Sequence, residues 1–261
     1  MDFKLRGKRA FVTGSTQGIG FAIALGLARE GAAVVVNGRG EPKVKDAVKR
    51  LVAETKASVT GIAGDVGNAA EVDRLVAQLG PVDILINNAG IFEPKPFLEI
   101  SDRDWIRHFE VNVMSGVRLS RALLPHMLKQ NWGRIVFISS ESGLNIPAEM
   151  VQYGMTKTAQ LAVSRGIAET IPGSGVTVNA VLPGPTLTEG VSAFLETLAK
   201  DRGISVDEMA IELIKTLRPT SLIKRWATPE EVANPVVYLC SEAATTGAAI
   251  RVDGGVLRSI A

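Results

Sequence analysis

Six short apolar runs alternate with longer segments whose apolar residues recur at helical spacing, and this order restricts the fold more than any other feature. The runs are Ala10 to Thr13, Ala33 to Asn37, Val59 to Ile62, Val82 to Asn87, Arg134 to Ser139 and Val176 to Val181. None shows the period-two polarity of a half-exposed strand, so both faces need cover, which parallel strands joined by helical crossovers provide. Ile23, Leu27 and Ala28 make the inward stripe of the first helix, and Leu75, Val76 and Leu79 that of the third. Three helix starts carry a cap hydroxyl three residues before a carboxylate: Ser101 with Asp104, Ser205 with Glu208, and Thr228 with Glu231, the last reinforced by Pro229. A strand-like Ala249 to Val252 follows. The expected fold class is α/β, a doubly wound parallel sheet in a single domain spanning 1–261.

Charge and cysteine usage exclude several function classes. Lys and Arg number 29 against 27 Asp and Glu, a balance too even for a nucleic-acid or membrane-surface partner. Cys240 is the single cysteine, so no internal disulfide forms, and His108 and His126 lack partners at metal-ligand spacing. Met1 to Lys8 is charged and has no signal-peptide core, while the uncharged stretch Thr170 to Thr188 is broken by Pro172, Gly173, Pro183, Gly184 and Pro185. A cytoplasmic location is expected.

The first strand runs into Thr13-Gly14-Ser15-Thr16-Gln17-Gly18-Ile19-Gly20 and then a helical pattern. Glycines there permit a tight turn and a close backbone approach to a pyrophosphate, whose charge the helix amino end stabilises. Strand, glycines and helix together make the fold Rossmann-like. The acid expected about 20 residues later, for the ribose of NAD, is missing, and Asn37-Gly38-Arg39-Gly40 stands there instead. Arg39 can pair with a 2'-phosphate, which favours NADP(H) over NAD(H), although a solvated loop arginine is the competing reading. Tyr153 and Lys157 lie four apart on one helical face, with Ser140 thirteen residues before Tyr153 at a strand end.

The glycine spacing, Asn87-Asn88-Ala89-Gly90, Asn112, Ser140, Tyr153-Gly154-Met155-Thr156-Lys157, Pro183-Gly184 and Val252-Asp253-Gly254-Gly255 occur in one order over essentially the whole chain. In this order they resemble the short-chain dehydrogenase/reductase family, in particular its 3-oxoacyl-carrier-protein reductases and related carbonyl reductases. The resemblance implies hydride transfer between NADP(H) and a small carbonyl or secondary alcohol. Tyr153 would then be the proton donor and acceptor, Ser140 the hydrogen-bond donor to the reacting oxygen, Lys157 the cation beside the phenol and the nicotinamide ribose, and Asn112 the holder of a water linking that lysine to solvent. It further implies cofactor contacts from Gly14, Ser15, Gln17, Gly18, Ile19, Gly20, Asp65, Val66, Asn88, Ala89, Gly90, Pro183, Gly184 and Thr186, and a homotetramer using the Asp102 to Gln130 and Gln152 to Ile171 helices. Leu119, Leu123 and Met127 form a stripe there that serves either association or the core.

A non-enzymatic dinucleotide sensor would be expected to lack the serine, tyrosine or lysine, and an NAD-dependent dehydrogenase of a sugar or hydroxy acid is the other alternative. Residues 187–217 carry two further stripes, Val191, Leu195 and Leu198, then Val206, Met209, Leu213 and Leu217, separated by Asp201-Arg202-Gly203. They predict a helical insertion, either a mobile lid over substrate or a permanently packed subdomain.

Overall fold

A computed structural model describes residues 3–260, so Met1, Asp2 and Ala261 of the two termini lie outside the described residues. Seven parallel strands form one sheet in the order β3-β2-β1-β4-β5-β6-β7. They are β1 (Arg9–Val12), β2 (Ala33–Gly38), β3 (Val59–Ala63), β4 (Ile84–Asn87), β5 (Gly133–Ile138), β6 (Val176–Pro183) and β7 (Ala249–Val252). Every expected strand is present, and the doubly wound class holds. The order reverses at β1, so β1 and β4 splay their following loops apart and leave a crevice at their carboxyl ends.

Helices cover both faces. On one lie α1 (Gly18–Arg29), α2 (Glu41–Thr55) and α9 (Pro229–Ser241); on the other lie α3 (Ala69–Leu79), α5 (Ser115–Lys129) and α6 (Val151–Glu169). The sheet therefore carries two apolar layers, one containing Val12, Ile23, Leu27, Ile84 and Val236, the other Phe11, Leu75, Leu85, Leu119 and Phe137. Each fully buried aliphatic side chain stabilises the fold by about 1.5–3 kcal/mol. Leu119, Leu123 and Met127 are all buried in the second layer, so that stripe serves the core rather than association.

The uniform burial expected of the strands fails at β3, where Thr60 and Gly61 are exposed. Strand β3 is an edge, covered on one face by helix α2 and reached on the other by α3, whose Arg74 donates to the Ala63 carbonyl. Strand β7, the opposite edge, is likewise only partly covered.

All three capping boxes close. Ser101 heads α4 (Asp102–Phe109), Ser205 heads α8 (Val206–Leu217) and Thr228 heads α9, each accepting from the backbone N–H of its carboxylate partner. Between α4 and α5 the chain makes one π turn, Glu110–Met114, a widening that turns Asn112 inward. The insertion forms α7 (Glu189–Arg202) and α8, whose Leu195, Ala199 and Met209 make a small separate core with Leu198, Leu213 and Trp226. Val206 and Leu217, placed in the second stripe by spacing, are exposed, and Ile214 is buried instead. The buried face of α8 is rotated because it closes on α7 and Trp226, whose indole N–H donates to the Ala210 carbonyl at 3.0 Å.

Candidate active site

The turn after β1 is held open by its own hydrogen bonds. Asn37 donates to the Ile62 and Gly64 carbonyls and accepts from the Gly14 N–H, tying the turn to the ends of β2 and β3. Asn88 donates to the Thr13 and Gly14 carbonyls at 2.9 and 3.0 Å, and Thr13 Oγ1 accepts from both the Asn88 and Ala89 N–H groups. Against this frame a Cβ at Gly20 would lie 2.5 Å from Asn88 Nδ2 and 2.9 Å from Ser15 Cα, so no side chain fits. Gly18, at φ +59°, opens α1 from the left-handed region.

Ser15 takes no outward role through its side chain: its hydroxyl donates to the Val12 carbonyl and accepts from the Asn37 N–H. Gln17 is exposed at the cap position of α1 without a capping bond, Ile19 is half-buried beside it, and Gly90 is exposed after β4. Asp65 spends one carboxylate oxygen on the Gly67 N–H, while Val66 packs into the core. Pro183 ends β6, the Gly184 N–H donates to the Val252 carbonyl, and the buried Thr186 hydroxyl donates to the Gly184 carbonyl. Arg39 is exposed beyond β2, with no hydrogen-bond or ion-pair partner among the described residues.

The amino end of α1 is suited to an oxyanion. It has no acidic residue in its first turn and no side-chain cap, yet its Gly18 N–H donates at 2.8 Å to a carboxylate oxygen of Glu189, which reaches across from α7. The group standing in for a phosphate here is a carboxylate, so the cradle fits the pyrophosphate of a dinucleotide.

Ser140, Tyr153 and Lys157 come together beyond the carboxyl end of β5. Ser140 opens a 3-10 turn, Glu141–Gly143, and its hydroxyl oxygen accepts from the Ser142 N–H at 3.1 Å, leaving its own proton free to donate. This turn packs directly on α6: a Cβ at Gly143 would sit 3.0 Å from the Lys157 carbonyl, and Ser139 Oγ donates to that carbonyl at 2.8 Å. Lys157 is buried, donates to the Ile138 carbonyl at 2.9 Å, and holds its ammonium 5.5 Å from the Tyr153 ring.

Burial sets the acidities of the pair. It pushes Tyr153 up to about 12, opposed by its hydrogen bond with Ser140, and lowers Lys157 to about 7. Burial, not the neighbouring lysine, therefore dominates the acidity of Tyr153. The same burial leaves Lys157 divided between its charged and neutral forms at pH 7. Tyr153 is a protonated phenol across neutral pH, the form that donates.

Asn112 bonds far along the chain rather than within its own helix. Its amide accepts from the Ile91 N–H and donates to the Ile91 carbonyl and to Thr156 Oγ1, and its main-chain carbonyl accepts from Gln160 at 2.6 Å. It thereby joins the segment after β4 to α6.

One ion pair beside the site escaped the sequence. Glu141, adjacent to Ser140, is buried and accepts from Arg218 Nε at 2.7 Å, Arg218 standing at the end of α8. Burial raises the Glu141 carboxyl and Arg218 opposes it. A separation of 77 positions leaves no local signal.

Residues 8–199 match the family described as short chain dehydrogenase. The chain belongs to that family and is an oxidoreductase. It is 47% identical over its whole length to the oxidoreductase YvaG of Bacillus subtilis, which it also covers completely. It is 35% identical over 259 residues to the D-beta-hydroxybutyrate dehydrogenase of Cupriavidus necator, covering 96% of this chain and 98% of the relative. The crystal structure of L-sorbose reductase from Gluconobacter frateurii, complexed with NADPH and L-sorbose, superposes with a TM-score of 0.95 at 34% identity, covering both chains completely. No helix among the described residues is long and apolar enough to cross a membrane, and no group of three or more potential metal ligands occurs among them.

Proposed function

We propose that this protein is a cytoplasmic NADP(H)-dependent oxidoreductase of small carbonyl compounds and the corresponding secondary alcohols, working through Tyr153, Ser140, Lys157 and Asn112. The observation that carries this reading is the convergence of Ser140, Tyr153 and Lys157 beyond the carboxyl end of β5. Gly14, Gly18, Ile19, Gly20, Asn88, Ala89 and Gly90 would hold the dinucleotide, with Asp65 and Val66 at the adenine and Pro183, Gly184 and Thr186 at the nicotinamide. Ser15 would serve by fixing the turn. The bound dinucleotide supplies the hydride.

Tyr153 gives its hydroxyl proton to the substrate oxygen as that oxygen gains charge, and Ser140 donates a second hydrogen bond to the same atom. Lys157, which can release a proton near neutral pH, returns one toward the phenolate. Asn112 keeps Gly90 and Ile91 beside the ammonium. Substrates of the two relatives, L-sorbose and hydroxybutyrate, support the carbonyl and secondary-alcohol class. The insertion α7–α8 would cover the substrate.

NADP(H) over NAD(H) rests on Arg39, which has no protein partner to compete with a 2'-phosphate. Arg39→Ala should weaken NADPH binding by ten-fold or more, about 1.5–3 kcal/mol, and leave NADH binding unchanged. Fluorescence titration with both dinucleotides checks it, and a wild type preferring NADH would return the assignment to an NAD-dependent dehydrogenase of a sugar or hydroxy acid.

A homotetramer is proposed through the outer faces of α4 to α6, where Ile106, Phe109 and Leu128 are exposed. Light scattering at assay concentration should give four times the 27.7 kDa chain mass, and a monomer would defeat this assembly.

A further inference from the structure

The contact between Gly18 and Glu189 joins residues 171 positions apart and places an anion where the proposed cofactor needs its own. Glu189 is the first residue of α7; Thr188, the cap of that helix, accepts from the Val191 N–H. The Thr188 methyl would lie 3.2 Å from a Cβ at Gly18, so the start of α7 rests directly on the start of α1. Glu189 is exposed, and the Gly18 N–H is its only hydrogen-bond partner among the described residues, with no cation paired to it. Nothing in the packing of α7 requires this side chain to point there, because its buried residues are Leu195 and Ala199, well along the helix.

An exposed carboxylate settles on the α1 terminus because the terminus is the nearest uncapped set of N–H donors and carries the positive end of the helix dipole. A dinucleotide pyrophosphate is attracted by the same donors. Two anions cannot share one N–H, and their charges repel at hydrogen-bond separation.

We propose that Glu189 is a carboxylate latch that competes with the cofactor for the amino end of α1, so that dinucleotide binding expels it and frees the first turn of α7. This rests on the dinucleotide reading above and goes beyond it by giving one residue control of cofactor affinity and of the insertion together. A cofactor that enters must displace the latch, and a cofactor that leaves lets it close. The insertion is then tethered in the empty protein and released in the loaded one.

The test is NADPH binding to the wild type, Glu189→Ala and Glu189→Gln, followed by fluorescence, with amide hydrogen exchange of α7 in each protein with and without NADPH. Glu189→Ala should bind NADPH about ten-fold more tightly, the gain expected from removing a charge-assisted competitor, and Glu189→Gln should lie between. Exchange in the first turn of α7 should rise on NADPH binding in the wild type. In ligand-free Glu189→Ala it should already be at that level. Equal affinities in the three proteins, or weaker binding by the variants, would overturn the latch. Absence of NADPH and NADH binding in all three would overturn the dinucleotide reading itself, a separable result. Because Glu189 is exposed and its latch contact stabilises only the unloaded protein, Glu189→Ala should unfold at a slightly lower temperature than the wild type without NADPH and at the same temperature with saturating NADPH.

Discussion

Tyr153→Phe should lose turnover by roughly 100- to 10,000-fold while binding NADPH within a factor of about two of the wild type. The substitution removes one hydroxyl and keeps the ring, whose edge contact with Phe92 at 6.2 Å is preserved. Nothing else in the site can replace the lost proton. Ser140 is a far weaker acid, and Lys157 stands behind the phenol on the Ile138 carbonyl. The fall should appear in single-turnover reduction, where binding and product release do not contribute. Raised pH should affect the single-turnover step little until it approaches the Tyr153 pKa of about 12, since the donor stays protonated below it, whereas repeated turnover, which needs Lys157 to return a proton, should fall from about pH 7 upward. A Tyr153→Phe protein that reduces substrate at near-native rate would remove Tyr153 from the mechanism.

Lys157→Met should stabilise the protein at pH 7 and damage its catalysis, two effects of one burial. Lys157 titrates near 7 in the fold against its ordinary 10.5. Between those values the unfolded chain binds a proton that the native one does not, so native stability rises with pH across that window. Below about pH 7 the full cost remains, about 5 kcal/mol for the displacement from 10.5 to about 7, of which about 4 kcal/mol is felt at pH 7 itself. Methionine removes that cost but leaves the Ile138 carbonyl without its donor, worth about 1–3 kcal/mol. A net gain of about 1–3 kcal/mol at pH 7 is expected, fading and turning into a loss as pH approaches 10.5, with turnover down by roughly 100-fold or more. Denaturation curves at pH 7 and pH 10 measure it. A variant that is equally destabilised at both would mean that the lysine is not held in a desolvated place.

The sheet was legible in the sequence because its inner strands are near-continuous apolar runs, the pattern that two helical layers impose on parallel strands, while the partial exposure of the edge strands β3 and β7 was not. Local chemistry was legible for the same reason. Capping boxes depend on residues three apart, and Ser101, Ser205 and Thr228 all found their carboxylates. Contacts between distant segments were not. The Glu141–Arg218 pair and the Gly18–Glu189 contact depend on where α7 and α8 come to rest, and spacing along α8 misplaced its buried face by leaving out Trp226. Acidity lay equally out of reach. The four-residue spacing of Tyr153 and Lys157 carries no measure of enclosure, which raises the phenol and lowers the lysine, a consequence of how tightly the Ser140 turn packs on α6.

The central claim is that the dinucleotide bound beside Tyr153 reduces a carbonyl. Its most direct measurement is a single-turnover mixing of the NADPH-loaded protein with a panel of ketoses, 3-oxo acids and simple ketones, following nicotinamide absorbance in the wild type and in Tyr153→Phe. At least one class should consume bound NADPH in the wild type, with the corresponding alcohol formed in equal amount, and Tyr153→Phe should leave the dinucleotide reduced. Consumption at the same rate in both proteins, or wild-type protein that binds NADPH and leaves it reduced with every compound of the panel, would contradict the account.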